Sequence, residues 1–294
     1  MVFEFIRRLW APKQKIELTD ITRRFELISR VGQGSMSRVW RARDTKTGQL
    51  VALKVLDKLK TEQLEARFAG LARPTEGEIA VQLKHPNIVE TYEYGWTKEL
   101  EQFLVMEFIE GVGLSYLVDV QSERMKKHRI SYMIQLGEAI DWLHRHDWIH
   151  RDICPRNVMV RNDNVVKLID FGLVVPNTPE FQRPGNRTGT ATHMAPELIK
   201  RQRTDHRIDL YSYAVTCYEM WTGELPFEAD RSLDAVVKHI NQPPRDIRSL
   251  NPEVPELVAE TIMKGLEKHP DDRWSSASEM VERFREAQRQ LAEQ

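Results

Sequence analysis

Ile149-His150-Arg151-Asp152-Ile153-Cys154-Pro155-Arg156-Asn157 is the stretch on which the reading of this chain turns. An acid stands five positions before an amide, with an arginine between them, and Asp170-Phe171-Gly172 follows. In chemical terms Asp152 is an acceptor for a hydroxyl proton. Asn157 and Asp170 are oxygen donors suited to a hard cation such as Mg2+. Arg156 is a permanent cation able to face a phosphate. Each residue alone has a dull reading, because Asp and Asn are common in turns. Their joint occurrence with His150, Arg151, Phe171 and Gly172 carries the weight.

Bulk properties exclude several classes. The 294 residues are enough for a large core and two lobes. A formal net charge of -1 gives no electrostatic case for nucleic acid or a membrane as the main partner. Cys154 and Cys217 are too few for a disulfide framework, so a reducing, cytoplasmic setting is expected. No stretch is long and apolar enough for a transmembrane helix. Residues 1–10 place Phe3, Ile6, Leu9 and Trp10 at helical spacing. That segment reads as a short helix packed on the domain, as a membrane-surface or partner contact, or as disorder.

The chain divides into a strand-rich first third and a helix-rich remainder joined near 107–113. Strands are expected over 25–31, 37–42, 50–56, 88–94 and 103–108, with a hairpin turn at Thr45-Lys46-Thr47-Gly48. Residues 57–84 read as helical, with Pro74 at the first turn of a restarted helix. Two short strands, 158–160 and 165–169, flank Asn162-Asp163-Asn164. Helical periods dominate from about 114.

Taken together the motifs resemble those of a protein kinase, in particular the bacterial, eukaryotic-like serine/threonine kinases. The catalytic run is similar to H-R-D-L-x-x-x-N and is followed by D-F-G. Gly32-Gln33-Gly34-Ser35-Met36-Ser37-Arg38-Val39 resembles a glycine-rich phosphate loop, with Ser37 for the third glycine. Val51-Ala52-Leu53-Lys54 resembles V-A-I-K. Gly189-Thr190-Ala191-Thr192-His193-Met194-Ala195-Pro196-Glu197 resembles G-T-x-x-Y-M-A-P-E, with His193 for the tyrosine. The resemblance implies an α+β, bilobal protein-kinase-like fold: a small β-rich N-lobe with one main helix and a larger, mostly helical C-lobe. A ligand cleft is expected between the lobes. It divides the chain into an N-terminal extension 1–24, a kinase domain 25–285 (N-lobe about 25–108, C-lobe about 113–285) and a C-terminal helical tail 286–294. Nothing resembling a sensor or a membrane anchor follows, so a free-standing kinase is expected.

The same resemblance implies an enzyme that uses ATP and Mg2+, or Mn2+, to phosphorylate Ser/Thr hydroxyls of protein substrates and itself. Asp152 would orient the acceptor, and Asn157 and Asp170 would hold the metal. Lys54 would bind the α/β-phosphates and pair with Glu76, for which Glu78 is the rival. Val31, Gly32, Gln33, Gly34, Ser35, Val39, Ala52, Met106, Glu107, Phe108 and Met159 would line the nucleotide. Gly113 stands where a ribose-binding acid is often found, so no ribose ligand is assigned.

Two departures matter. Cys154 replaces a lysine that usually neutralises the γ-phosphate, and Arg156 has a placement familiar from receptor tyrosine kinases. Arg156 is therefore expected to supply the cation, the bland alternative being a solvated loop residue. Cys154 is alternatively a reactive thiol made anionic by Arg151 and Arg156. The activation segment is of the serine/threonine type and decides the substrate class. Thr190 is expected to bond Asp152. Thr188, then Thr178, are the candidate phosphosites for Arg151 to receive, with activity independent of phosphorylation equally open. Arg273 is expected to pair with Glu197, and the helix around Asp209 to support the catalytic loop. The competing functional class is a nucleotide-binding pseudokinase acting as a scaffold.

Overall fold

The computed structural model describes residues 18–33, 37–185, 187–227 and 233–293. Residues 1–10, Gly34, Ser35 and Met36 thus lie outside the described residues. The chain forms two compact units. One takes Thr91–Phe108 with the described part of Met1–Glu65, and the other takes Ala66–Glu90 and Ile109–Gln294. The first is mainly sheet and the second mainly helix, as the α+β reading expects.

The first unit is a six-stranded sheet in the order β1-β5-β6-β4-β3-β2. Its strands are β1 (Leu18–Thr19), β2 (Phe25–Gln33), β3 (Ser37–Asp44), β4 (Leu50–Leu56), β5 (Thr91–Thr97) and β6 (Gln102–Glu107). All neighbouring pairs are antiparallel except β1 with β5. Alternation along β4 puts Val51, Leu53 and Val55 into a core with Phe25, Ala42, Phe103 and Val105. Between β1 and β2 lies a single helical turn, α1 (Ile21–Arg24), capped by Asp20. Arg24 pairs with Asp44 at 2.9 Å and also with Glu93. Residues 18–24, part of the expected N-terminal extension 1–24, therefore contribute a strand and an ion-pair anchor to this unit.

The expected helix over 57–84 is broken. It comprises α2 (Lys58–Glu65), a 3-10 turn at Ala66–Phe68 and α3 (Glu76–Ala80). Pro74 does not open α3. Thr75 caps it, accepting from Glu78 N, while the Glu78 carboxylate reaches back to Thr75 N at 2.7 Å. The strand expected over 88–94 starts later, at Thr91. Ile88 and Val89 instead join Leu168, with Val89 N donating to Leu168 O at 2.9 Å.

In the second unit β7 (Gly111–Gly113), β9 (Val158–Arg161) and β10 (Val166–Leu168) form one small sheet, and β8 (Trp148–Ile149) pairs with β11 (Val175–Pro176). After α4 (Leu114–Asp119), the long α5 (Glu123–Arg145) is capped by Ser122 and buries Met125, Tyr132, Met133, Leu136, Ile140 and Leu143 at helical spacing. The short α6 (Pro196–Ile199) precedes α7 (Arg207–Thr222), which is buried almost all round and forms the centre of this unit. Then come α8 (Leu233–Asn241), α9 (Ile247–Leu250), α10 (Glu256–Gly265) and α11 (Ala277–Ala292). Tyr213 of α7 donates to Met133 O of α5 at 2.6 Å, and Ser278 N of α11 to Asp141 at 3.2 Å. The last helix runs unbroken past residue 285. Among the described residues no helix is long and apolar enough to cross a membrane.

Candidate active site

The loop between β8 and β9 carries the opening motif, and α7 holds it by its backbone. Asp209, fully buried in the first turn of α7, accepts from His150 N and Arg151 N, each at 2.7 Å, and from His144 Nε2 at 2.9 Å. Burial alone would raise its pKa, but the His144 hydrogen bond and the nearby His144 and His150 hold it below the ordinary carboxylate range. This clamp supports a costly conformation. Arg151 has φ 70°, a left-handed backbone that a non-glycine residue rarely adopts. Burial pushes the His150 imidazole below its ordinary pKa, with Asp209, Asp152 and Asp170 opposing.

Asp152 leaves the clamped turn with both carboxylate oxygens engaged. Oδ1 accepts from Thr190 N at 2.7 Å, and Oδ2 from Asn157 Nδ2 at 2.8 Å. The Asn157 amide also donates to Asp152 O at 2.8 Å. Its amino group is thus committed to the loop, which leaves its carbonyl oxygen as the donor for a cation. Asn157 O accepts from Ile169 N at 3.0 Å, tying the loop to the residue before Asp170. Asp170 Oδ1 accepts from Gly172 N at 3.1 Å. A Cβ at Gly172 would stand 3.2 Å from Glu76 Oε2 and 3.4 Å from Asp170 Oδ1. Glu76, 8% exposed, thus sits over the Asp-Phe-Gly turn. Its rival Glu78 is occupied by the helix cap.

Two hard oxygen donors, one anionic, match the ligand preference of Mg2+, which keeps waters and phosphate oxygens as its remaining ligands. No larger cluster of His, Cys, Asp and Glu suited to a metal occurs among the described residues.

The activation segment closes on the loop through its glycine. Gly189 has φ 121°, and a Cβ there would stand 2.5 Å from Arg151 O. Thr190 reaches Asp152 through its backbone N–H rather than its hydroxyl, which faces Cys154 Sγ at 3.6 Å and accepts from Arg156 Nη2 at 3.1 Å. The reactive-thiol reading of Cys154 does not hold. The side chain is 1% exposed, and burial, then the Asp152 charge, push the thiol above its ordinary pKa. Thr188, the preferred phosphosite, is 4% exposed with its hydroxyl turned inward. Thr178 is half-buried. His193 stands against Glu219, Nε2 to Oε2 2.7 Å. Glu197 and Arg273 form a buried two-pronged pair at 2.7 and 2.8 Å.

In the first unit, strand register gathers four of the nucleotide-lining candidates on one face. Lys54 pairs with Val39 on β3 and Leu104 on β6, Ala52 pairs with Met106, and Gly32 pairs with Val39. Partners opposite one another share a face, so Val39, Ala52, Lys54 and Met106 lie together, opposite the core set. Lys54 is 5% exposed. Val31 is exposed, Glu107 ends β6, and the Arg41 guanidinium covers the Phe108 ring at 5.3 Å. In the second unit Met159 is half-buried on β9 between Gly113 and Lys167. Sequence reasoning missed Phe68, Arg73 and Phe181, which gather beneath Arg151 with no periodic signal to reveal them.

This chain belongs to the protein kinase family: the model described as protein kinase domain matches residues 25–284. Its relatives include bacterial serine/threonine-protein kinases. One is the probable serine/threonine-protein kinase of Clostridium perfringens, 33% identical over 261 residues, covering 88% of this chain and 37% of that protein. Serine/threonine-protein kinase PknB of Mycolicibacterium smegmatis is 32% identical over 266 residues, with 87% and 42% covered. Serine/threonine-protein kinase pkn3 of Myxococcus xanthus is 31% identical over 270 residues, with 87% and 48% covered. The chain thus spans under half the length of these relatives.

Proposed function

We propose that the chain transfers the γ-phosphoryl group of ATP, with Mg2+ or Mn2+, to Ser/Thr hydroxyls of proteins and to itself. The observation that carries this reading is the double restraint of Asp152 by Thr190 N–H and the Asn157 amide. A carboxylate so fixed keeps free lone pairs to orient an acceptor hydroxyl and take its proton late, when charge has developed. Asn157 and Asp170 would hold the metal, which when bound neutralises phosphate oxygens. Lys54 supplies a cation for the α/β-phosphates, and Arg156 one for the transferring group. Glu76 is the acid that would orient Lys54. Val31, Gly32, Gln33, Gly34, Ser35, Val39, Ala52, Met106, Glu107, Phe108 and Met159 would line the nucleotide.

The test is transfer from labelled ATP, with Mg2+, to the chain itself and to a generic basic protein, beside Asp152→Asn. Transfer by the wild type that falls by at least about 10³-fold in the variant is expected. Nucleotide-dependent thermal stabilisation without transfer would instead make the chain a binding module.

A further inference from the structure

The activation segment must be held for Thr190 to reach Asp152, yet residues 179–187 contain no Ser, Thr or Tyr to be phosphorylated. Aromatic side chains occupy the region instead. Phe181 of the segment is 9% exposed, and its ring lies 6.3 Å from that of Phe68. Phe68, 3% exposed, closes the 3-10 turn at Ala66–Phe68. The Phe68 ring is faced by two guanidinium groups, Arg73 at 5.0 Å and Arg151 at 5.9 Å. Arg73 also binds the start of the segment, donating Nε to Val174 O at 3.0 Å and Nη2 to Gly172 O at 2.6 Å. A turn directs Phe181 inward, its N–H donating to Thr178 O at 3.0 Å. The next residue fastens that turn, Gln182 O accepting from Thr204 N at 3.0 Å.

Two arginines brought together repel, and a phosphate is one remedy. A ring face is another, because its quadrupole attracts cations while its apolar bulk buries against a second ring. We propose that Phe68 and Phe181 are positioning residues, an aromatic latch backed by Arg73 and Arg151 that docks the activation segment with no phosphate on it. This inference rests on the phosphotransfer reading above. It assigns a task to the stretch between α2 and α3, which carries Phe68 and Arg73.

The experiment uses the full chain after phosphatase treatment, assayed with MgATP and a peptide substrate. Hydrogen exchange of residues 176–190 is followed in the nucleotide-free protein. The double variant Thr178→Ala/Thr188→Ala is expected to stay within about twofold of wild type. Phe181→Ala is expected to lose on the order of tenfold or more in kcat/KM for peptide, to change KM for ATP by less than about twofold, and to speed exchange. Phe181→Leu, which keeps an apolar plug, is expected to recover most of the peptide kinetics. The latch is overturned if the double threonine variant falls as far as Phe181→Ala, or if Phe181→Ala leaves peptide kinetics and exchange at wild-type values. If the wild type transfers no phosphate, the kinase reading fails and exchange alone judges the latch: unchanged exchange in Phe181→Ala overturns it, faster exchange upholds it. Phe68→Ala removes the same contact from the other side and is read in the same way should Phe181→Ala not fold.

Discussion

At the scale of single residues, the proposed function puts the loop's positive charge on Arg156, while Cys154 stands in place of the family's usual lysine. Arg156 is exposed and reaches the Thr190 hydroxyl, whereas Cys154 is buried behind that hydroxyl. A cation aimed at developing charge is worth more than a thiol packed in the wall. Arg156→Ala is therefore expected to lower kcat on the order of 10²-fold, and Cys154→Ala by less than about threefold, at saturating MgATP and peptide. A Cys154→Ala variant with the larger loss would sink the assignment. Because burial raises the Cys154 thiol, alkylation of the native chain by iodoacetamide is expected to be slow at pH 7.5, and fast only after unfolding. Rapid labelling of Cys154 in the folded protein, located by mass spectrometry, would revive the reactive-thiol reading.

At the scale of elements, the catalytic loop and the activation segment meet through backbone. Gly189→Ala combines a disfavoured φ with a Cβ driven at Arg151 O, so it is expected to free the Thr190–Asp152 contact. Its peptide kcat/KM should fall on the order of tenfold or more with ATP binding retained. Below that contact, Arg273 is buried against Glu197. Arg273→Ala strands a buried carboxylate, and a loss of about 3–5 kcal/mol is expected in chemical denaturation. Contiguous motifs explain why much of this was legible. The placement of Asp152, Asn157 and Asp170 and the Arg273–Glu197 pair were legible through motifs that resemble a known family's, not through local spacing, since Arg273 and Glu197 lie far apart in the chain. The hairpin around Gly48 and the strands flanking Asn162-Asp163-Asn164 were legible locally, since turn residues punctuate alternating strands. Residues 57–84 were not, because their composition favours helix throughout while Thr75 and Glu78 restart it by a capping box. The lead-in strand at Leu18–Thr19 was too short to show a period, and the Phe68–Phe181 contact joins distant residues by packing alone.

At the scale of the whole molecule, the two units answer different demands. The sheet unit spends one face on an apolar core and presents Val39, Ala52, Lys54 and Met106 on the other. The helical unit is organised around α7, whose first turn clamps the catalytic loop and whose flank meets a cationic corner. There Lys268 Nζ donates to His239 O at 2.6 Å and lies 3.6 Å from the Phe227 ring centre. His239 in turn sits 2.9 Å from Met194 O and 3.1 Å from the Tyr211 hydroxyl, linking this corner to the end of the activation segment. Burial, then Arg273, pulls Lys268 down from 10.5 to about 7, with Glu267 opposing and Lys200 adding to the fall. Burial, then Lys268, pulls His239 from 6.5 to about 4. In each case the unfolded chain binds more protons between the two values, so stability rises with pH across that window. For His239 the window is about pH 4 to 6.5, and for Lys268 about pH 7 to 10.5. The carboxylates are already ionised in the upper window and contribute no slope there, while the buried Cys154 and Cys217 thiols, pushed above their ordinary value, oppose the climb toward its upper end. Urea unfolding of the wild type is therefore expected to show stability climbing from pH 7 to 9. Lys268→Met, which keeps the stem over Phe227 and removes the titrating amine, is expected to flatten that climb. An unchanged slope in the variant would mean that the gain above neutrality arises elsewhere, and that the ammonium is held charged by the His239 carbonyl and the ring face.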